Sequence, residues 1–297
     1  MQKPDPSGPS DLITLSSSTA SVSLYLFGAH ITSYTVNGQE RLWMSSLAVL
    51  DGTKPIRGGV PIAFPQFADE GDLKLHGFAR ESLWSVGSLE PTKAVLTLAP
   101  NTASKDMWDN EFELVYTVEL QDSGSLLLNM RVKNTSESSA FSFTACFHTY
   151  FLFQETNTVE LSGGLGGKTY IDKCDGRKKK EQGDGPIVIP AEATRSGRDA
   201  GKEGYVDRIY TNSGQSFVFA RSGVELYNVT QSPSWPDTTL YNPWLGDKQG
   251  PVIGPDFDDD GYKKMICLEP TISKENAVVL NRGEVWEGSQ TIEVGDF

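Results

Sequence analysis

Apolar residues recur at every second position in short runs along most of this chain. The alternation is plain in Val22–Leu26, Val95–Leu98, Leu114–Val118, Leu126–Val132, Val218–Arg221 and Val224–Val229. A period of two places alternate side chains on opposite faces of an extended strand. Gly, Asn, Asp, Ser or Pro lies between most runs, and the chain carries 29 Gly and 16 Pro, which suits many turns. Short strands separated by turn residues predict an all-β fold, a large antiparallel β-sandwich with very little helix. The best helical pattern is a short turn near residues 102–110. No internal repeat and no linker divides the chain. The expectation is one domain over residues 11–297, preceded by a polar, Pro-rich, flexible segment at residues 1–10.

The net charge of −13 argues against nucleic acid as a partner and against an anionic membrane surface. An anionic ligand would need local cations working against that overall field. The 3 cysteines, Cys146, Cys174 and Cys267, show no framework spacing and read as reduced thiols of a cytoplasmic protein. Residues 1–10 have no secretory apolar region, and no apolar run approaches the ~18–20 residues that span a bilayer. The glycosylation-like triplets at Asn134 and Asn228 therefore read as chance. There is no His-x-His, no Cys-x-x-Cys and no nucleophile elbow, so neither a metal nor a serine nucleophile is expected.

Of the 3 histidines, His148 lies in the apolar run Ala140–Phe151, read as one strand. An imidazole there is hydrogen-bonded or costs roughly 1–3 kcal/mol. It is either a satisfied core histidine or a proton donor at the floor of a pocket. Glu269 follows Ile266-Cys-Leu268, where it reads as a strand-end residue at the solvent boundary or as the complementary base. In each segment a cysteine precedes the polar residue by two, so Cys146 and His148 should share one strand face, and Cys267 and Glu269 another. Two groups of complementary acid–base type make a catalytic pair more attractive than either alone. Arg57-Gly-Gly-Val-Pro is either a structural loop or a rigid wall presenting Arg57 to an anion. His76-Gly-Phe-Ala-Arg80 places a second arginine beside a histidine, and Arg suits bidentate recognition of phosphate. Asp207 opens the strand-like run Val206–Tyr210. Trp235 and Trp244 could pack on the core or offer a ring to a sugar face. Residues 172–204, rich in Gly, Lys and Arg, read as a solvated surface excursion, with a basic lid over an anion site as the alternative.

Taken in order, Arg57-Gly-Gly-Val-Pro with Phe64-Pro65, His76-Gly-Phe-Ala-Arg80, Phe147-His148-Thr-Tyr-Phe151, Val206-Asp207-Arg-Ile-Tyr210, Asn242-Pro-Trp244 and Cys267-Leu-Glu269-Pro resemble the glucose-6-phosphate 1-epimerases. These are hexose-6-phosphate mutarotases of the galactose-mutarotase-like superfamily. The resemblance implies a supersandwich with a concave sugar cleft, and exchange of the α and β anomers of a hexose 6-phosphate. By that likeness His148 is the general acid and Glu269 the general base. Arg57 and Arg80 bind phosphate, and His76 and Asp207 hold sugar hydroxyls. Leu75 departs from the family, which often has Gln there; Lys74 is the candidate substitute. Ring opening by proton transfer needs no cofactor. The partner expected is a small sugar phosphate, met by a monomer, with no nucleic acid and no membrane. The rivals are an aldose 1-epimerase acting on unphosphorylated sugar and a non-catalytic carbohydrate-binding β-sandwich. A glycosidase usually needs a carboxylate pair, which the His–Glu pairing disfavours.

Overall fold

The computed structural model describes residues 12–189, 206–243 and 254–295. Residues 1–11, 190–205, 244–253 and 296–297 lie outside the described residues, so the 1–10 segment, Trp244 and the second half of the 172–204 excursion do too. Nearly every periodic run forms a strand, and the strand pairings are antiparallel. A nine-stranded sheet contains Ser216–Arg221, Val224–Gln231, Val285–Val294, Leu126–Asn134, Phe112–Leu120 and Lys93–Leu98 as its centre. Burial alternates along Phe112–Leu120 and Leu126–Asn134, as a half-covered sheet requires. The eight-stranded sheet runs Lys178–Glu181, Thr169–Asp172, Val206–Tyr210, Asp237–Asn242, Met265–Ile272, Ala145–Phe147 and Ile62–Ala63, with Tyr150–Leu152 also paired to Met265–Ile272. One apolar cluster draws residues from both sheets, including Leu114, Leu128, Leu240, Ile266 and Leu268. The short helix Thr102–Met107 starts at a capping box made by Asn101 and Ser104.

Two local expectations are corrected. The run Ala140–Phe151 is not one strand but three, Phe141–Phe143, Ala145–Phe147 and Tyr150–Leu152. His148 sits in the last break, where Thr149 N–H turns back to the Phe147 carbonyl at 2.9 Å and His148 N–H donates to the Pro61 carbonyl at 2.9 Å. Glu269 does not end its strand. It lies inside Met265–Ile272, every residue of which is buried. Ile266, Leu268 and Ile272 face the main core. By alternation Cys267, Glu269 and Thr271 point the other way, into a region roofed by loops.

One such loop carries Arg57, and its path depends on the glycines that follow. Gly59 has φ +62°, and a Cβ there would lie 2.0 Å from the Ile31 carbonyl oxygen. Its backbone N–H also bonds the Trp43 carbonyl at 2.8 Å. A left-handed backbone costs a non-glycine residue about 1–2 kcal/mol before any clash. Gly59→Ala is therefore expected to lower the unfolding free energy by more than about 2 kcal/mol, measured by urea denaturation.

Candidate active site

A cavity of about 260 Å³ opens on the face of the eight-stranded sheet opposite Ile266 and Leu268. Arg57, His76, Arg80, His148, Asp207 and Glu269 all line it. The structure thus brings together every site residue read from the sequence. The two strand faces expected separately for Cys146 with His148 and for Cys267 with Glu269 are one face, because Ala145–Phe147 and Tyr150–Leu152 both pair with Met265–Ile272.

Glu269 is 1% exposed. Its Oε1 lies 3.2 Å from His148 Nδ1. Neither atom has an aligned hydrogen-bond partner among the described residues. The other carboxylate oxygen, Oε2, accepts from the Cys146 thiol at 3.1 Å. Burial pushes the Glu269 carboxyl up to about 8; the thiol and Lys173 oppose that rise, and the negative charge of Asp207 adds to it. The His148 ring stacks on Tyr150, with centroids 4.6 Å apart and planes within 8°. Burial first, then the charges of Arg57 and Arg80, lower His148 to about 3. Both shifts oppose an imidazolium–carboxylate pair at rest. The carboxyl holds the proton instead, and the imidazole is neutral at rest.

His76 adopts φ +64°. Its Nδ1 accepts from the Ala68 N–H at 3.2 Å, which puts the ring proton on Nε2. The ring meets His148 edge-on at 5.4 Å. Burial and the Arg80 charge hold its basicity well below the usual histidine range. Arg57 pairs with Asp256 at 3.4 Å. Burial opposes its charge, but Tyr150 and Asp256 outweigh burial and raise its pKa. Arg80 donates to the Leu75 carbonyl at 2.7 Å, which aims the guanidinium along the cavity wall. Asp207 lies 3.8 Å from Lys173 Nζ, which also pairs with Asp69 at 3.3 Å.

Tyr150, Lys173, Thr239, Tyr241 and Asp256 line the same cavity, and sequence reasoning gave them no role. Lys173 falls in the stretch read as a solvated excursion. There Thr169–Asp172 and Lys178–Glu181 form a paired hairpin whose second strand is largely exposed, as a surface excursion would be, while Lys173 turns to the cavity. Arg177 pairs with buried Glu70, and Lys180 pairs with Asp172 and Asp175 at 2.8 Å. Asp256 lies in an acidic run that composition marks only as loop. Lys74 does not replace the missing Gln; it pairs with Glu81 at 2.6 Å, while Leu75 lies at the cavity rim. Trp235 is 1% exposed in the main core, so it offers no ring to a sugar. Asn242 binds the Tyr262 and Met265 carbonyls and anchors a turn.

Donor atoms of His148, Cys267 and Glu269 lie within 4.8 Å of one another. They do not fit a divalent cation. Arg57, Arg80 and Lys173 border the same cavity and repel one, and a Glu269 oxygen is engaged by a thiol. What the arrangement can do is move protons beside an anion.

A family model described as aldose 1-epimerase matches residues 11–293. The chain belongs to the aldose 1-epimerase family. A protein of Cenchrus ciliaris named "Putative glucose-6-phosphate 1-epimerase" is 33% identical over 95% of this chain and 84% of its own length. A protein of Escherichia coli K12 with the same name is 28% identical over 91% of this chain and 85% of its own. The crystal structure of a "putative mutarotase" from Salmonella typhimurium superposes with a TM-score of 0.80 at 24% identity, covering 98% of this chain and 92% of that one. The Slr1438 protein of Synechocystis sp. PCC 6803 gives 0.77 at 22% identity, covering 99% of each. At these identities the solved structures establish the galactose-mutarotase-like β-sandwich fold.

The buried pair links stability to pH. Glu269 is raised in the folded state, so its contribution is full below its ordinary 4.5 and is lost as pH rises through about 8. His148 is lowered, so its contribution is full above 6.5 and is lost as pH falls through about 3. Glu269→Gln removes the first loss only. The variant is expected to match the parent near pH 4.5 and to exceed it by on the order of 4 kcal/mol at pH 8. Chemical denaturation at both pH values measures this.

Proposed function

We propose that the protein interconverts the α and β anomers of a hexose 6-phosphate, glucose 6-phosphate foremost, by general acid–base opening and closing of the sugar ring. The observation that carries the reading is the partnerless pair, His148 Nδ1 and Glu269 Oε1, set 3.2 Å apart in a cavity bordered by Arg57 and Arg80. The names of the Cenchrus ciliaris and Escherichia coli relatives support it.

The chemistry balances with one shared proton. Transfer from Glu269 to His148 gives a carboxylate beside an imidazolium. The carboxylate takes the proton of the C1 hydroxyl, and the imidazolium gives a proton to the ring oxygen. The C1–O5 bond breaks, C1 becomes a carbonyl, and rotation about C1–C2 presents its other face. Closure reverses both proton transfers. Arg57 and Arg80 hold the phosphate, and His76 and Asp207 hold hydroxyls, so the ring opens without leaving the site. No cofactor is needed. Among the described residues no helix is long and apolar enough to cross a membrane. The cysteines Cys146, Cys174 and Cys267 are all free thiols, which supports a reducing, cytoplasmic setting.

Anomer exchange followed by NMR on glucose 6-phosphate, with free glucose as control, tests the reading. Losing one charge-assisted contact costs about 1.5–3 kcal/mol, or roughly 10–150-fold in kcat/KM. Arg57→Ala and Arg80→Ala are expected to lose that much on glucose 6-phosphate and little on glucose. Equal losses on both sugars would remove the phosphate assignment and favour an unphosphorylated substrate; no exchange above buffer would leave a binding module.

The shared proton also sets the pH profile. The state with charges separated has the same proton count as the resting state, so its fraction does not change while the pair holds one proton. The rate is expected to be level from pH 5 to about 7 and to fall as pH rises through about 8, where Glu269 loses that proton. The acid limb lies near 3, where His148 gains a second one. A rate that climbs through pH 8 would overturn the assignment.

A further inference from the structure

We propose that Cys146 is a positioning residue for Glu269: its thiol holds Oε2 from behind, which turns Oε1 toward His148 and the sugar. The proposal rests on the reading of Glu269 as the group that takes the C1 hydroxyl proton.

The geometry comes from strand register. Cys146 pairs with Thr271 across the antiparallel ladder, so Glu269 is its diagonal neighbour two residues away on the same face. The thiol reaches Oε2 at 3.1 Å and is fully buried. Nearby hydroxyls are engaged elsewhere. Thr239, directly opposite Glu269, meets Thr271 hydroxyl to hydroxyl at 3.0 Å. Thr271 in turn donates to the Glu269 backbone carbonyl at 2.9 Å. The other groups around the carboxylate are His148 and Tyr150 from the adjoining segments, Cys267 on its own strand, Asp207 on Val206–Tyr210, and Lys173 beyond Thr169–Asp172. Among the described residues, the one side-chain hydrogen bond shown to the carboxylate is the thiol's.

A thiol suits this place because it is a weak donor. A hydroxyl would bind the carboxylate more strongly and reduce its basicity. A methyl would let the carboxylate swing and leave both oxygens bare. Burial and the neighbouring Glu269 also push the Cys146 thiol well above its ordinary range, so it keeps the proton it donates. The cysteine therefore fixes a rotamer while leaving the base strong enough to act.

The test compares the intact protein with Cys146→Ala and Cys146→Ser by anomer exchange across pH, and reads the S–H stretching band by infrared spectroscopy. Cys146→Ala is expected to move the alkaline limb up by about one pH unit and to lower kcat with KM unchanged. Cys146→Ser is expected to move the limb down by a similar amount and to restore part of kcat. The S–H component of Cys146 is the one lost in Cys146→Ala, against those of Cys174 and Cys267 that remain, and this component is expected to shift in Glu269→Gln. Limbs that stay fixed, or that move in the same direction in both variants, overturn the proposal. So does an S–H band indifferent to Glu269→Gln, a reading that stands even if a serine variant does not fold. A parent protein without anomer exchange sinks the proposed function instead, while the infrared arm still judges the contact.

Discussion

The strand Met265–Ile272 is buried along its whole length and separates two environments that could hardly differ more. Its Ile266, Leu268 and Ile272 close the main core. Its Cys267, Glu269 and Thr271 face the cavity side. A carboxylate inside such a strand survives because the neighbouring segments supply it with a donor and a facing imidazole, and because it can hold a proton rather than a charge. Desolvation sets the chemistry that follows. It raises the carboxyl and lowers the histidine, so that one proton serves two groups over a wide pH range.

The electrostatics of the cavity run against those of the whole chain. The protein is strongly acidic, yet Arg57, Arg80 and Lys173 gather around one small space. Each is held by a different device. Arg57 has an acidic partner in Asp256, Arg80 is aimed by a backbone carbonyl, and Lys173 bridges Asp69 and Asp207. The positive charge is thus local and built, set within an acidic chain.

Much of this was legible in the sequence. Period-two runs and turn residues specify the sheets, and the strands follow the runs closely because alternation is a direct image of a half-covered sheet. Arg57, His76, Arg80, His148 and Glu269 stood out because a charge or imidazole in an apolar or glycine-bound context is unusual, while their roles, and any role for Asp207, came from the family resemblance. What stayed hidden has equally physical reasons. The break at His148 follows from its N–H pairing with Pro61, a contact distant in sequence. The proton order of the pair depends on burial, which period and composition do not measure. Lys173 and Asp256 sit in charged stretches, where composition describes solvent equally well, and only strand order carries them to the cavity.

Asp256 has a consequence for what the cavity will accept. It already occupies Arg57 at 3.4 Å, as a tethered stand-in for an incoming anion. A newcomer must outbid a carboxylate that never diffuses away, so its effective concentration is high. A neutral hydroxyl cannot displace it, and a singly charged group exchanges one equal for another. A phosphate dianion brings more charge and a third oxygen to the contest. On the function proposed above, the ion pair sets a threshold that a phosphate dianion crosses more readily than a singly charged anion.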